Sequence, residues 1–104
     1  MGYEIVWSPE AIEDLEQIAE YISRDSEFYA RAVVGKILEV VRGISDLPLR
    51  GRVVPELEDE KIRECFVYSY RIVYRVERQI ILVVAVIHGK RLFERMSERF
   101  VEPA

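Results

Sequence analysis

The spacing of apolar positions divides the chain into a short β-rich opening, two helical stretches and a long strand-like end. Tyr3-Glu4-Ile5-Val6-Trp7 reads as a first strand, rich in β-branched and aromatic residues. Ser8-Pro9 then offers an N-cap and a proline for the first helical position. Ala11, Leu15, Ile18 and Ile22 fall on one helical stripe with Ile12 and Ala19. Glu10, Glu13, Asp14, Glu16 and Glu20 coat the remainder, crowded toward the helix start where the macrodipole favours negative charge. Arg24-Asp25-Ser26 breaks the pattern, and Ser26 caps a second helix whose stripe runs through Ala30, Val33, Val34, Ile37, Val40, Val41 and Ile44. So short a connection predicts an antiparallel helical hairpin. Gly35 costs the second helix about 1 kcal/mol relative to alanine and is either a point of close approach for the first helix or incidental. Pro48 ends that helix.

Residues 47–60, with Pro48, Gly51 and Pro55, read as a connecting loop. Residues 61–67, 70–77 and 79–88 are dense in Ile, Val, Tyr and Phe. The joints at Tyr68-Ser69 and Glu77-Arg78 are tight enough to require antiparallel neighbours. The last of these strands is almost wholly apolar from Ile80 to Ile87, as in a strand covered on both faces. Residues 91–100 carry a weak helical pattern through Leu92, Met96 and Phe100, equally compatible with a tail. The predicted architecture is one α+β domain spanning residues 1–104: an N-terminal strand, a helical hairpin, then a three-stranded antiparallel meander. The hairpin packs on one sheet face, leaving the other for function.

Composition narrows the classes. Half of the residues are apolar and a third charged, which suits a globular domain and not a disordered one. The longest apolar run is far below the roughly 18 residues of a membrane span. No arginine-flanked apolar segment opens the chain, so no secretion signal is read. The single Cys65 suits a cytoplasmic location, and one cysteine with one histidine argues against structural zinc. No metal or other cofactor is expected. The net charge of −4 conceals a division. Residues 1–60 carry 6 basic and 14 acidic side chains, whereas residues 61–104 carry 9 basic and 5 acidic. An anionic partner would meet the second part, unless the charges merely decorate two solvated faces.

Several segments then resemble one family. Trp7-Ser8-Pro9-Glu10-Ala11, with Asp14-Leu15 and Tyr21-Ile22, resembles the opening of ParE-type toxins. Leu47-Pro48 through Gly51-Arg52 resembles their loop before the sheet, and Arg63-Glu64 with Tyr70-Arg71-Ile72-Val73-Tyr74-Arg75-Val76 their strongest segment. His88-Gly89-Lys90-Arg91 is similar to the closing motif of the RelE/ParE superfamily. The resemblance spans nearly the whole chain and lies nearer the ParE branch. It implies a toxin of a type II toxin–antitoxin system, in which an antitoxin wraps and blocks the toxin and the freed toxin arrests growth. It also implies one of two activities: inhibition of DNA gyrase, as in ParE-like members, or cleavage of messenger RNA on the ribosome, as in RelE-like members.

Metal-free RNA cleavage needs a base for the 2′-hydroxyl, charge stabilisation at phosphorus and an acid for the leaving oxygen. Arg63, Arg71, Arg75 and Arg91 are candidates for phosphate by type. Glu64 and His88 are the candidate catalytic pair, set against the stronger reading of His88 as an ordinary hydrogen-bonded structural histidine. Arg71 and Arg75 share a strand face with Val73, where they bind a target, are merely solvated, or pair with Glu64 and Glu77 across strands. An overall acidic chain argues against ribosomal RNA affinity. RelE-like members tend to place a catalytic tyrosine or arginine near the C-terminus; the tail after Arg91 offers Arg95 and Arg99 but no tyrosine, which leaves that role unfilled or altered. On the inhibitor reading the target-binding nominees are Arg71, Arg75, Lys90 and Arg91. For the antitoxin they are Tyr21, Phe28 and Tyr29 at the helix ends; Trp7 is assigned to the core.

Overall fold

The strand Glu4–Trp7 (β1) stops where Ser8 turns the chain into the helix Pro9–Ser23 (α1). Ser8 Oγ accepts the Ala11 amide at 3.0 Å and donates to Val84 O, so one hydroxyl caps the helix and ties it to the sheet. Ser26 repeats the device, accepting the Tyr29 amide at 3.0 Å at the start of the helix Glu27–Ile44 (α2). In the computed structural model, residues 2–88 and 98–100 are described, apart from the Glu98 side chain.

Strands Arg52–Val53 (β2), Ile62–Val67 (β3), Tyr70–Val76 (β4) and Ile80–His88 (β5) complete a five-stranded sheet in the order β1-β5-β4-β3-β2. The antiparallel meander of β3, β4 and β5 is as the apolar spacing predicts. β1 adds to it in parallel, pairing Glu4 with Ile80 through Trp7 with Val83. β2 falls inside the stretch read as a loop. Two residues carry no period, and Pro55 blocks a longer strand. The weak helical pattern over residues 91–100 lies mostly outside the described residues; Glu98–Phe100 is a 3₁₀ turn.

The hairpin and the sheet share a core of Ala11, Val33, Ile37 and Val41 against Val67, Ile72, Val83 and Val86. Trp7, Leu15, Ile18 and Ile22 pack around it, Trp7 in its expected core role. The opposite face is not left open. Val54, Ile62, Val73 and Ala85 form a second buried cluster there, with Leu57, Ile87 and Phe100 packed on it. Residues at positions 54 and 57 and Phe100 thus cover the middle of the face that the element pattern leaves for function. Gly35 is not a point of close approach between the helices, because a Cβ there meets nothing within 4 Å.

β5 outruns β1. Past Val83 a bulge leaves Val84 without a partner on β4, since Val73 faces Ala85 and Tyr74 faces Val83. The exposed edge is completed by side chains: Asp14 Oδ2 accepts the Val86 amide at 3.0 Å, and Arg99 donates to Val84 O at 2.9 Å. Arg99 also forks onto Asp14, at 2.8 and 3.2 Å. One aspartate of α1 therefore satisfies the sheet edge and anchors residues 98–100.

Tyr74 fixes the loop before β3. Its buried hydroxyl donates to Pro48 O at 2.9 Å and accepts the Gly51 amide at 3.0 Å. Gly51 is required at this approach, since a Cβ would lie 2.6 Å from Glu64 O and 2.7 Å from the Tyr74 hydroxyl. Burial pushes the Tyr74 phenol up to about 12 from its ordinary 10.0, with the Gly51 hydrogen bond acting in the opposite direction. The folded protein keeps this proton while the unfolded chain releases it, so stability is lost as pH rises from 10 toward 12. Denaturant titrations should show an alkaline loss of about 2–3 kcal/mol in the wild type. That component should vanish in Tyr74→Phe, which is itself less stable at neutral pH by about 1–3 kcal/mol for the orphaned loop groups. An unchanged alkaline slope in the variant would assign the loss to another group.

Candidate functional site

Register decides which of the nominated residues meet. Glu64 lies opposite Val73, and Val73 opposite Ala85, so these three project to the face away from the helices. His88 lies opposite Tyr70, and Tyr70 packs on the helix-side core. Glu64 and His88 are therefore on opposite faces. Their partners on β4 are also three residues apart, roughly 10 Å along the strand. An acid and a base serving one phosphate must both reach it within hydrogen-bond distance, and this pair does not.

Glu64 has a different employment. Its carboxylate is fully buried and accepts from Arg71 Nε at 2.8 Å, from Arg71 Nη2, and from Arg52 Nε. Arg71, buried as well, also reaches Glu56 at 3.2 and 3.3 Å. Burial alone would raise the Glu56 carboxyl, but the hydrogen bond from Arg71 and the charges of Arg71 and Arg52 hold it below its ordinary value. Arg71 is thus a guanidinium between two carboxylates, not an exposed cation. Of the readings the alternating pattern allows for Arg71 and Arg75, pairing is the one the geometry realises: Arg71 holds Glu64, and Arg75 Nε lies 3.1 Å from Glu77. Arg63 donates to the carbonyls of Glu60, Gly51 and Leu49, closing the loop beside β2. Lys90 and Arg91 lie outside the described residues.

The nominees on the hairpin are placed differently. Tyr21, Phe28 and Tyr29 are 69, 83 and 55 % exposed at the end where α1 meets α2. Between α1 and the end of β5 runs a cleft of about 640 Å³, lined by Asp14, Gln17, Tyr21, Arg24, Tyr70 and His88 among others. His88 stands edge-on to Tyr70 with ring centroids 5.4 Å apart. A second groove of about 670 Å³ runs along the outside of the hairpin, over Ala19, Ser23, Ala30, Val34, Gly35 and Leu38.

The alternating pattern gave no role to Arg52, Phe66 or Tyr68. Arg52 stacks over the Phe66 ring at 5.3 Å while its Nε holds Glu64. Phe66 and Tyr68 are exposed, and Tyr68 takes φ +54° in the two-residue turn to β4, a conformation that costs a non-glycine residue about 1–3 kcal/mol. An aromatic residue at a turn position suited to Asn or Gly was the available signal.

Removing one member of a buried ion pair strands the other. Glu64→Ala should lower unfolding free energy by about 3–5 kcal/mol in urea titrations. A loss below about 1 kcal/mol would mean that Glu56 alone suffices for Arg71.

The structure is similar to a chromosomal ParDE toxin–antitoxin system from P. aeruginosa, with a TM-score of 0.71 and 20 % identity over 85 % of this chain and 97 % of that one. It is also similar to E. coli RelE, solved as an arginine double mutant in the free state, with a TM-score of 0.67 and 17 % identity over 96 % of each chain. A third likeness is to the RelBE2 toxin–antitoxin complex of Mycobacterium tuberculosis, with a TM-score of 0.62 and 18 % identity over 85 % of this chain and 99 % of that one. At these identities the likeness establishes the fold. No curated protein sequence matches the chain. The family model for the ParE toxin of type II toxin–antitoxin systems, parDE, matches residues 5–93, from β1 through the whole sheet, and the chain belongs to that family.

Proposed function

We propose that this toxin arrests growth by binding and inhibiting DNA gyrase, and that a cognate antitoxin silences it by docking on the helical hairpin. The observation that carries the inhibitor reading is the commitment of the sheet's charged residues to one another. RNA cleavage without a metal needs guanidinia turned toward a phosphate and an acid and base within reach of one bond. Here Arg71 is enclosed by Glu64 and Glu56, Arg63 is bonded to loop carbonyls, and Glu64 and His88 project from opposite faces. An inhibitor needs no such constellation, only an exposed surface. Lys90 and Arg91, outside the described residues, remain nominated for the target on sequence grounds, and so does Arg75 on β4.

The antitoxin reading is supported by aromatic exposure. Large exposed apolar side chains clustered on a small protein mark an interface, and aromatic residues dominate binding energy at such sites. Tyr21 lines the cleft beside β5, while the outer groove runs along the same hairpin, and its floor at Gly35 leaves room for a partner backbone to approach closely. The acidic coat of α1 adds a surface complementary to basic antitoxin residues. No helix among the described residues is long and apolar enough to cross a membrane, and no membrane partner is proposed.

Purified, antitoxin-free toxin should abolish gyrase supercoiling at near-stoichiometric amounts, and Arg91→Ala should relieve growth arrest. Full supercoiling beside undiminished growth arrest would transfer the activity to ribosome-bound messenger RNA. For the antitoxin, Phe28→Ala should weaken toxin binding about tenfold or more by calorimetry, as loss of an interface anchor does. Its melting temperature should not change, because the side chain is exposed. Unaltered affinity in both Phe28→Ala and Tyr21→Ala would move the antitoxin away from the hairpin end.

A further inference from the structure

The arginine on β2 has a guanidinium both fixed and turned outward. Arg52 is held at Nε by Glu64, whose side chain has no exposed surface, and its Cζ lies over the Phe66 ring at 5.3 Å from the centroid, with 61 % of its own side chain exposed. Its two terminal amino groups make no hydrogen bond among the described residues. A free surface arginine must surrender rotamer freedom to bind anything. For Arg52 that ordering has already occurred on folding, because one donor is anchored and the ring beneath restricts the rest.

The remaining donors form the planar fork that matches two oxygens of one group. The chemistry of that group follows from the surrounding charge. Arg52 and Arg71 are balanced by Glu56 and Glu64, and exposed Glu58, Asp59 and Glu60 follow in the same loop. A polyanion would gain little here, since nucleic-acid affinity rests on a surplus of positive charge tracking many phosphates. A single carboxylate needs only the fork. Phe66, exposed beneath the guanidinium, supplies apolar surface next to it, and Tyr68 is exposed farther along the β3–β4 hairpin. Arginine and aromatic side chains together are the usual composition of an interface centre.

We propose that Arg52, oriented by Glu64 and stacked on Phe66, is a carboxylate-recognition site for an acidic, aromatic-bearing segment of a protein partner. The site lies on the β2 edge and on the sheet face away from the hairpin, so it is separate from the surface assigned to the antitoxin. It stands whether or not gyrase is the target.

The test is a nuclear magnetic resonance titration of the whole isotope-labelled protein at neutral pH. The probe is the peptide acetyl-Gly-Glu-Phe-Glu-Gly-amide, with its double glutamine counterpart as control. The expected result is saturable movement of the Arg52 Nε–H and the Phe66 amide by the glutamate peptide. The glutamine peptide and the Arg52→Lys variant, which keeps the charge but loses the fork, should each bind about tenfold more weakly. Phe66→Ala should weaken binding while leaving the Glu64–Arg52 contact, which separates recognition from any loss of stability. Equal binding of both peptides, or no saturable movement at Arg52, would overturn the proposal. So would stronger movement of the same resonances by an oligothymidine, which would make the site one for nucleic acid.

Discussion

A nine-residue strand that is apolar almost throughout cannot show either face to water, and β5 is that strand. Its burial requires cover on both sides, and the rest of the chain can be understood as providing it. The hairpin closes one face through Ala11, Val33, Ile37 and Val41. Val54, Leu57 and Phe100 close the other. β1 protects the first half of one edge and β4 the other edge from Ile81 to His88, apart from the bulge at Val84. Where β1 stops at Trp7, Ser8, Asp14 and Arg99 satisfy backbone groups that would otherwise be orphaned. A helix cap, a helix carboxylate and a distant arginine thus converge on Val84 and Val86 of one strand.

That cover decides where function is left. A sheet with one bare face would present Arg71 and Arg75 to a target. Instead the face opposite the hairpin carries its own small core and a buried carboxylate. A buried charge is tolerated only when its hydrogen bonds are met, so Glu64 draws in two guanidinia. Arg71 is consumed inward and Arg52 is turned outward. The exposed aromatics then lie away from the cores, on the hairpin end and on the β3–β4 turn.

The elements were legible because their periods are strong. Stripes at three and four residues define both helices, Ser8 and Ser26 announce their starts, and the tight joints compel an antiparallel meander. The alternation that places Arg71, Val73 and Arg75 together is local, and so is the pairing option with Glu64 and Glu77. What stayed hidden depends on register. Whether Glu64 and His88 share a face turns on which residues of β4 they oppose, and the pattern of either strand alone does not contain that. β2 is two residues long and exists only because Gly51 can approach Glu64 O. Arg52 belongs to a segment that carries the family resemblance, yet its role needs Glu64, twelve residues away, to be placed beside it. The parallel pairing of β1 with β5 is likewise a tertiary outcome, formed between the two ends of the chain.

The two surfaces left exposed are chemically unlike, and their difference follows from the same packing. The hairpin surface combines aromatic side chains with the acidic coat of α1, because the apolar stripe of each helix is spent on the sheet. The β2 edge combines an arginine with aromatics, because its carboxylate is spent inside. A partner suited to one is poorly suited to the other: a basic segment offers the Arg52 fork no carboxylate, and an acidic one meets repulsion along α1. Specificity of this kind needs no additional residues. It arises from which charges the fold has already paired, and in this chain that selection is made by burying Glu64.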